Sequence, residues 1–441
     1  MNIKRIKIQY IAYFVIILSL MIPQKASAIP SFARQTNLSC ATCHTIFPEL
    51  TAFGRLFKLN GYTMTGMKTI KEVSENGTNR LNLLKTLPIS ASVQTAYTNV
   101  NKAVPGTQNN TIDFPQEFSL FVGGEITPHI GAFIQLSYEN SEASFGWDMA
   151  DIRYANHTKL ADKNLIYGVT LNNMLTLQDP WNTTPAFTFP YQTSGVAPTP
   201  GAEVLLESEN LMGVVGLGAY GLWNNLIYGE FSIYRSSHQG AANPPDNTSM
   251  NTIKSLVPYW RLAIQHQFGN QYLQVGTLGI KADIYPTGIS GLTDDYTDVG
   301  VDFNYENNIE NNSIAVRSSY IHETQDLNAT FLAGGVANPS IALNKFKINA
   351  SYYLHHQIGL TVGYFNINGD NDAIFYGGNL SQKPNSNGIV VEFSVAPWLN
   401  TKFDIQYTAY NKFDGSSDNY DGTGRNASDN NTFYLISWIA L

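Results

Sequence analysis

The chain has 441 residues, only 14% of them charged, with 25 Tyr, 23 Phe and a polar remainder heavy in Asn, Gly, Ser and Thr. Soluble proteins carry roughly 25% charge, so a medium other than water is implied, and the mixture suits strands and polar loops. Acidic residues outnumber basic ones 34 to 26, which excludes nucleic acid as a partner, since that binding needs clustered Lys and Arg to displace counterions.

Residues 1–28 read as a secretory signal peptide: "MNIKRIKIQ" is basic, "YIAYFVIILSLMIP" is apolar and "ASA" ends in small residues, with cleavage expected after Ala28. That cut removes Lys4, Arg5, Lys7 and Lys25 and no acid, leaving 22 basic residues against 34 acidic and a net charge of −12. The apolar run is shorter than the roughly 20 residues a spanning helix needs, and no other stretch approaches it. The mature chain is therefore expected to have no transmembrane helix.

Residues 29–87 form a small module, and "SCATCH" (39–44) holds both cysteines of the chain. A Cys40–Cys43 disulfide would close a tiny loop, and a thioredoxin-type dithiol needs a βαβ setting that is missing. Structural zinc needs four ligands, and no second cysteine pair or nearby histidine supplies them. The favoured reading is one covalently attached c-type haem, with Cys40 and Cys43 adding to the vinyl groups and His44 reaching the iron as proximal ligand. The next stretch, "FPELTAFGRLFKLNGYT" (47–63), predicts a short helix opened by Pro48 and Glu49 and ended by Gly61, with Leu50, Phe53, Leu56 and Phe57 on one face. About 60 residues cannot bury enough apolar surface to be stable alone. A haem walled by Phe47, Leu50, Phe53 and Phe57 would supply the missing core. Met64 and Met67 follow at a distance that lets a thioether reach the iron's distal face, against an open or histidine-ligated site; nothing in the sequence singles out His129.

From 88 to 441 the dominant signal is period-two alternation. In "KFDIQYTAY", Phe403, Ile405, Tyr407 and Ala409 alternate with Lys402, Asp404, Gln406 and Thr408; "DVGVDFNY" and "KFKINASYYL" repeat the pattern, placing Asp302 and Lys347 on the polar face. Strands are expected near 89–99, 117–126, 130–139, 148–157, 164–172, 212–222, 226–235, 257–268, 271–281, 297–306, 312–323, 345–354, 358–367, 388–396, 401–410 and 431–441. Connections alternate between short ("TPH", "WNN", "HHQ", "PWLN") and long (100–116, 178–211, 236–256, 282–296, 324–344, 368–387, 411–430). Such alternation over tilted strands of about ten residues predicts a mainly β fold, an antiparallel transmembrane barrel of about 16 strands in the outer membrane of a Gram-negative bacterium. A closed barrel pairs every backbone group in lipid and leaves an aqueous lumen for the polar face. A secreted β-sandwich gives no reason for the loop pattern.

Together, "PSFARQTNLSCATCH" (30–44), "FPELTAFGRLFKLNGYT" (47–63), the following barrel and the loop entry "LQDPWNTTPAFTFPY" (177–191) resemble the fused outer-membrane monohaem cytochrome c–porin family associated with iron oxidation. Asn37 stands where that family commonly has glycine, and Leu441 where such barrels commonly end in an aromatic residue. The resemblance implies a haem in or against the barrel, on the periplasmic side or within the lumen. It would pass electrons from an extracellular donor, typically Fe(II), to periplasmic carriers such as a soluble cytochrome. By motif match Cys40 and Cys43 are the attachment points and His44 the proximal ligand.

Electron transfer across the outer membrane is thus the leading expectation, with an iron(II)-oxidising role open. Acidic loop residues (Asp294, Asp295, Asp298, Asp370, Asp372, Asp414, Asp418, Asp421) could concentrate a divalent metal, or form ordinary solvated surface. A passive porin with a haem plug or sensor is the alternative. A haem peroxidase is a third reading, with Arg34 and Arg55 as the arginines weighed for its distal side.

Overall fold

The computed structural model describes residues 31–74, 76, 77, 79–139, 144–207, 213–237 and 250–441; the expected signal peptide lies outside them. Sixteen strands make one closed antiparallel sheet. They are β1 (Ile89–Val100), β2 (Thr111–Thr127), β3 (Ile130–Glu139), β4 (Ser144–Leu160), β5 (Lys163–Asn172), β6 (Val214–Trp223), β7 (Ile227–Ser236) and β8 (Val257–Phe268, preceded by the short piece Met250–Ile253). The rest are β9 (Gln271–Thr287), β10 (Asp294–Ile309), β11 (Asn312–Asp326), β12 (Ser340–Leu354), β13 (Ile358–Gly369), β14 (Ser386–Trp398), β15 (Thr401–Lys412) and β16 (Thr432–Ala440). Each strand pairs with its sequence neighbour, and β16 closes the ring on β1, with Thr432 opposite Val100 and Ala440 opposite Ser92.

The alternation sorts side chains as the sequence predicts. On β10, Val299 and Val301 stand exposed on the outer wall while Asp298, Asp302 and Glu306 are buried inside. On β15, Ile405 and Tyr407 face out and Lys402, Asp404 and Gln406 face in. An apolar outer wall and a polar, hydrogen-bonded interior are what a hydrocarbon solvent selects.

The strands run further than expected. β2, β4 and β9 each have 17 residues, beyond the nine to eleven that cross a bilayer, so pairing continues above the membrane. As a result the connection expected over 282–296 shrinks to 288–293, and Asp294 and Asp295 belong to β10 instead of that connection. Three of the short turns carry adjacent residues with left-handed backbone, Ala161 with Asp162, Asn224 with Asn225 and His355 with His356, the handedness that matches strand twist.

The amino-terminal segment holds three short helices, α1 (Ser31–Thr36), α2 (Cys40–Cys43) and α3 (Ala52–Leu59), then a hairpin of Thr69–Val73 with Asn79–Leu84. The expected helix starts later than Pro48, because Thr51 is its cap: the Thr51 hydroxyl accepts from the Gly54 amide at 3.1 Å. Its inner face also differs from the prediction. Arg55, Phe57, Lys58 and Leu59 are buried, whereas Phe53 is exposed, since the helix packs against a polar lumen. Asn37 sits at φ 58, a conformation glycine adopts freely and Asn tolerates.

Candidate functional site

The helices do not stand beside the barrel; they plug its short-turn end. Arg55 on α3 pairs with Glu306 on β10 (2.7 Å), and Glu49 pairs with Arg317 on β11 (2.7 Å). The hydroxyls of Tyr353 and Tyr191 both donate to Glu49 Oε1, at 2.7 and 2.8 Å. The Tyr62 hydroxyl donates to Asp151 on β4 at 2.6 Å, and Gln35 donates to the Gly123 carbonyl on β2. A Cβ on Gly131 would lie 2.2 Å from the Gly61 carbonyl oxygen, so β3 admits the plug only by lacking a side chain there.

A long connection, described over 173–207, folds back into the lumen and meets the plug from the other side. Asp179 organises it, accepting from the Trp181, Thr183 and Thr184 amides at 2.8 to 2.9 Å. Arg261 on β8 clamps it through Asp179 (2.8 Å) and Asp302 (2.6 Å). Plug and loop join directly: the Leu50 amide donates to Asn182 Oδ1 at 3.0 Å, and Lys58 Nζ to the Asp179 carbonyl at 2.9 Å.

Between plug, loop and wall lies a mostly apolar cavity of about 520 Å³, within the roughly 300–1,000 Å³ range of cofactor sites. Cys40, Cys43 and His44 all line it, with Leu50, Phe32, Phe47, Phe57, Phe121 and Phe133. The rings are ordered: Phe47 stacks on Trp438 at 4.2 Å, and His44 lies 5.2 Å from Phe47. Phe53 lies off this wall, as do Met64 and Met67, so the structure does not bring either module methionine to the imidazole. His129 is elsewhere, donating through Nδ1 to the Ala155 carbonyl.

The two thiols are unbridged, one helical turn apart on α2. Burial pushes the Cys40 thiol up, and burial together with Cys40 pushes Cys43 up to about 11. A redox dithiol shows the opposite, a lowered thiol. Burial pushes the His44 imidazole down to about 4 against the upward pull of the Pro48 and Glu49 backbones, leaving it neutral. Its Nδ1 sits 3.3 Å from the Pro48 carbonyl, which can only accept; the proton is therefore on Nδ1 and the lone pair on Nε2. Gly54 lets α3 lie against α2, because a Cβ there would meet the Cys43 carbonyl oxygen at 2.2 Å. Two thiols and a neutral imidazole at the edge of an apolar cavity are a donor set that fits covalent haem. Among the described residues, no group of three or more His, Cys, Asp or Glu side chains is placed to hold a metal ion.

Sequence reasoning missed Met149 and His356, which also line the cavity, from β4 and from the β12–β13 turn. The acidic loop residues it singled out are largely engaged in local structure. Asp294 accepts from the Ala329 and Thr330 amides, Asp372 from those of Ala337, Asn338, Ile374 and Phe375, and Asp421 from those of Thr423 and Arg425.

No family model matches the chain, and no curated protein matches it. Among solved structures it is similar to Salmonella typhi OmpF in complex with daunomycin, at 11% identity over 84% of this chain and 100% of that one, TM-score 0.46. It is also similar to the outer membrane channel DcaP of Acinetobacter baumannii (13% identity, 80% and 96% covered, TM-score 0.44). The anion-selective porin from Comamonas acidovorans gives 11% identity, 80% and 97% covered, and TM-score 0.45. At these identities the likeness is one of barrel fold alone.

Proposed function

We propose that this porin-like barrel is an electron-transfer protein of a Gram-negative outer membrane, whose plug carries one covalent c-type haem through Cys40, Cys43 and His44. The observation that carries this reading is the convergence of both thiols and a neutral imidazole on one apolar cavity inside the lumen. A haem bound there supplies one-electron chemistry. Cys40 and Cys43 would hold that group covalently, His44 would present Nε2 to it, and Phe32, Phe47, Phe57 and Phe133 would keep water away. Electrons enter from an extracellular donor, for which Fe(II) is the first choice, and leave to a periplasmic acceptor such as a soluble cytochrome. The site lies toward the short turns, so it is close to the periplasm and the donor must come partway down the lumen.

The test is anaerobic mixing of the purified, haem-matured protein with Fe(II). Reduction of the ferric haem is expected, with no haem attached in a Cys40→Ser, Cys43→Ser variant. Absence of covalent haem in the wild type, or a haem that stays ferric with Fe(II) at every pH tried, would sink the proposal.

The closed sixteen-strand wall favours a second reading, because that architecture accommodates an aqueous channel: a passive porin with the haem segment as plug or sensor. It predicts solute flux that is indifferent to His44→Ala. The electron-transfer reading predicts little conduction and lost Fe(II)-dependent reduction in the same variant.

A further inference from the structure

We infer that Met149, on the barrel strand β4, is the distal haem ligand, so that the site is shared between plug and wall. This rests on the haem reading above. Met149 is the one methionine among the described residues that lines the cavity. It shares the inward face of Asp151 and Arg153, two and four residues further along β4, and a break in the alternation lies just before it. Gln135 of β3 is opposite Met149, but Leu136 is opposite Trp147, so Asp148 is an extra residue, a β-bulge. Trp147 is 66% exposed on the outer wall, while Asp148 and Met149 both face the cavity. Bulges gather next to active sites because they re-aim a side chain, here that of Asp148, which joins Met149 on the inner face.

The bulge is held from both sides. Asn173 Nδ2 donates to the Asp148 carbonyl at 3.1 Å, and the Ala150 amide donates to Asn173 Oδ1 at 2.6 Å, so one side chain brackets Met149 along the backbone. Ser137 Oγ donates to Asp148 Oδ2 at 2.9 Å and ties the carboxylate back to β3.

The other donors on the cavity are committed or on the wrong side. Tyr62 donates to Asp151, and Lys58 donates to the Asp179 carbonyl. His356 donates through Nδ1 to the carbonyl of Thr45 at 3.1 Å, next to His44 itself and hence on the proximal side. Met149 approaches from elsewhere. His44 comes in beside Phe47 and Trp438 of β16, whereas β4 is four strands along through β1, β2 and β3, about 19 Å of wall at roughly 4.8 Å per strand. A thioether is a soft ligand suited to haem iron, and opposite histidine it raises the reduction potential.

The experiment uses full-length, haem-matured protein and reads covalent haem content, the thioether-to-iron charge-transfer band of the ferric form, and the equilibrium potential. Wild type should show the band. Met149→Leu, similar in volume, should keep its covalent haem, lose the band and fall in potential; Met149→His should restore a six-coordinate low-spin spectrum of bis-histidine type. Met64→Leu and Met67→Leu should change nothing. Heat-modifiable gel migration verifies that each variant's barrel has folded. A band that survives Met149→Leu overturns the inference, as does a wild-type bis-histidine spectrum that is lost in His356→Ala. Covalent haem with either result leaves the haem reading standing, whereas a wild type without haem removes both.

Discussion

At the scale of single residues, position 54 gives the sharpest test of how the plug presents its cysteines. Glycine inside a helix ordinarily costs about 1 kcal/mol relative to alanine, so Gly54→Ala on α3 would be expected to stabilise. Here the sign reverses, because the new Cβ would stand 2.2 Å from the Cys43 carbonyl oxygen, which also accepts from the Thr51 amide at 2.9 Å. Backbone cannot give way as a flexible side chain can, so α2 and α3 must separate, at about 1–3 kcal/mol. Gly54→Ala should lower the yield of covalently attached haem per barrel, measured by haem stain against total protein, while the exposed neighbour Phe53→Ala should not. The motif on which the haem proposal rests stands out in the sequence because its spacing is local, and the structure brings Cys40, Cys43 and His44 to one cavity. Met149 shares the inner face with Asp151 and Arg153 by plain alternation, but nothing local ties it to the cysteines; only closure of the barrel brings β4 to the same cavity. The plug's burial was equally hidden, since the sequence shows Glu49 only as a helix opener and Arg55 only as a module arginine, and their partners Arg317 and Glu306 come from β11 and β10.

At the scale of elements, buried charge decides where the connections lie. The inward connection rests on Arg261, whose guanidinium faces Asp179 and Asp302 with all three side chains out of water. Removing one partner from such a group costs about 3–5 kcal/mol, because charge is left buried and unpaired. Arg261→Met should therefore release the connection over 173–207 from the lumen while the strands persist, seen as faster amide exchange at Trp181, Thr183 and Thr184 without loss of heat-modifiable migration. Exchange unchanged at those amides would contradict the clamp. On the outer side Asp372 joins two loops by accepting from Ala337, Asn338, Ile374 and Phe375. Burial raises its carboxyl, but the backbone bonds, that from Phe375 foremost, outweigh this and hold it below the ordinary carboxylate value. A depressed carboxyl stabilises above its unfolded pKa of about 3.9 and loses that contribution as pH falls through the folded value. The two loops should thus stay protected down to about pH 4 and loosen below it. Asp372→Asn, with one accepting oxygen in place of two, should loosen them already at neutral pH by about 1–3 kcal/mol. Protease cleavage across 333–340 and 370–385 as a function of pH distinguishes the two proteins.

For the whole molecule, the barrel and its loop pattern were legible because a bilayer imposes one rule on every strand, apolar outside and polar inside. The contacts that seat the plug in the lumen were not, because they depend on pairs more than 250 residues apart in sequence. Arg55 with Glu306 and Glu49 with Arg317 are such pairs, each buried and formed between plug and wall. They sit near the base of a barrel whose width would otherwise admit water and solutes. Arg317 also approaches Glu306 at 3.5 Å, so it serves both acids at once. Arg317→Ala leaves the Glu49 charge facing the Tyr353 and Tyr191 hydroxyls alone, and the loss of a buried partner again costs about 3–5 kcal/mol. The wall does not depend on that residue, since β11 stays paired with β10 and β12 along its length. In planar bilayers the wild-type protein should conduct little, and Arg55→Ala, Arg317→Ala should open a channel with porin-like single steps while migrating as a folded barrel. A wild type that already conducts as an open pore would show that these pairs do not seal the lumen.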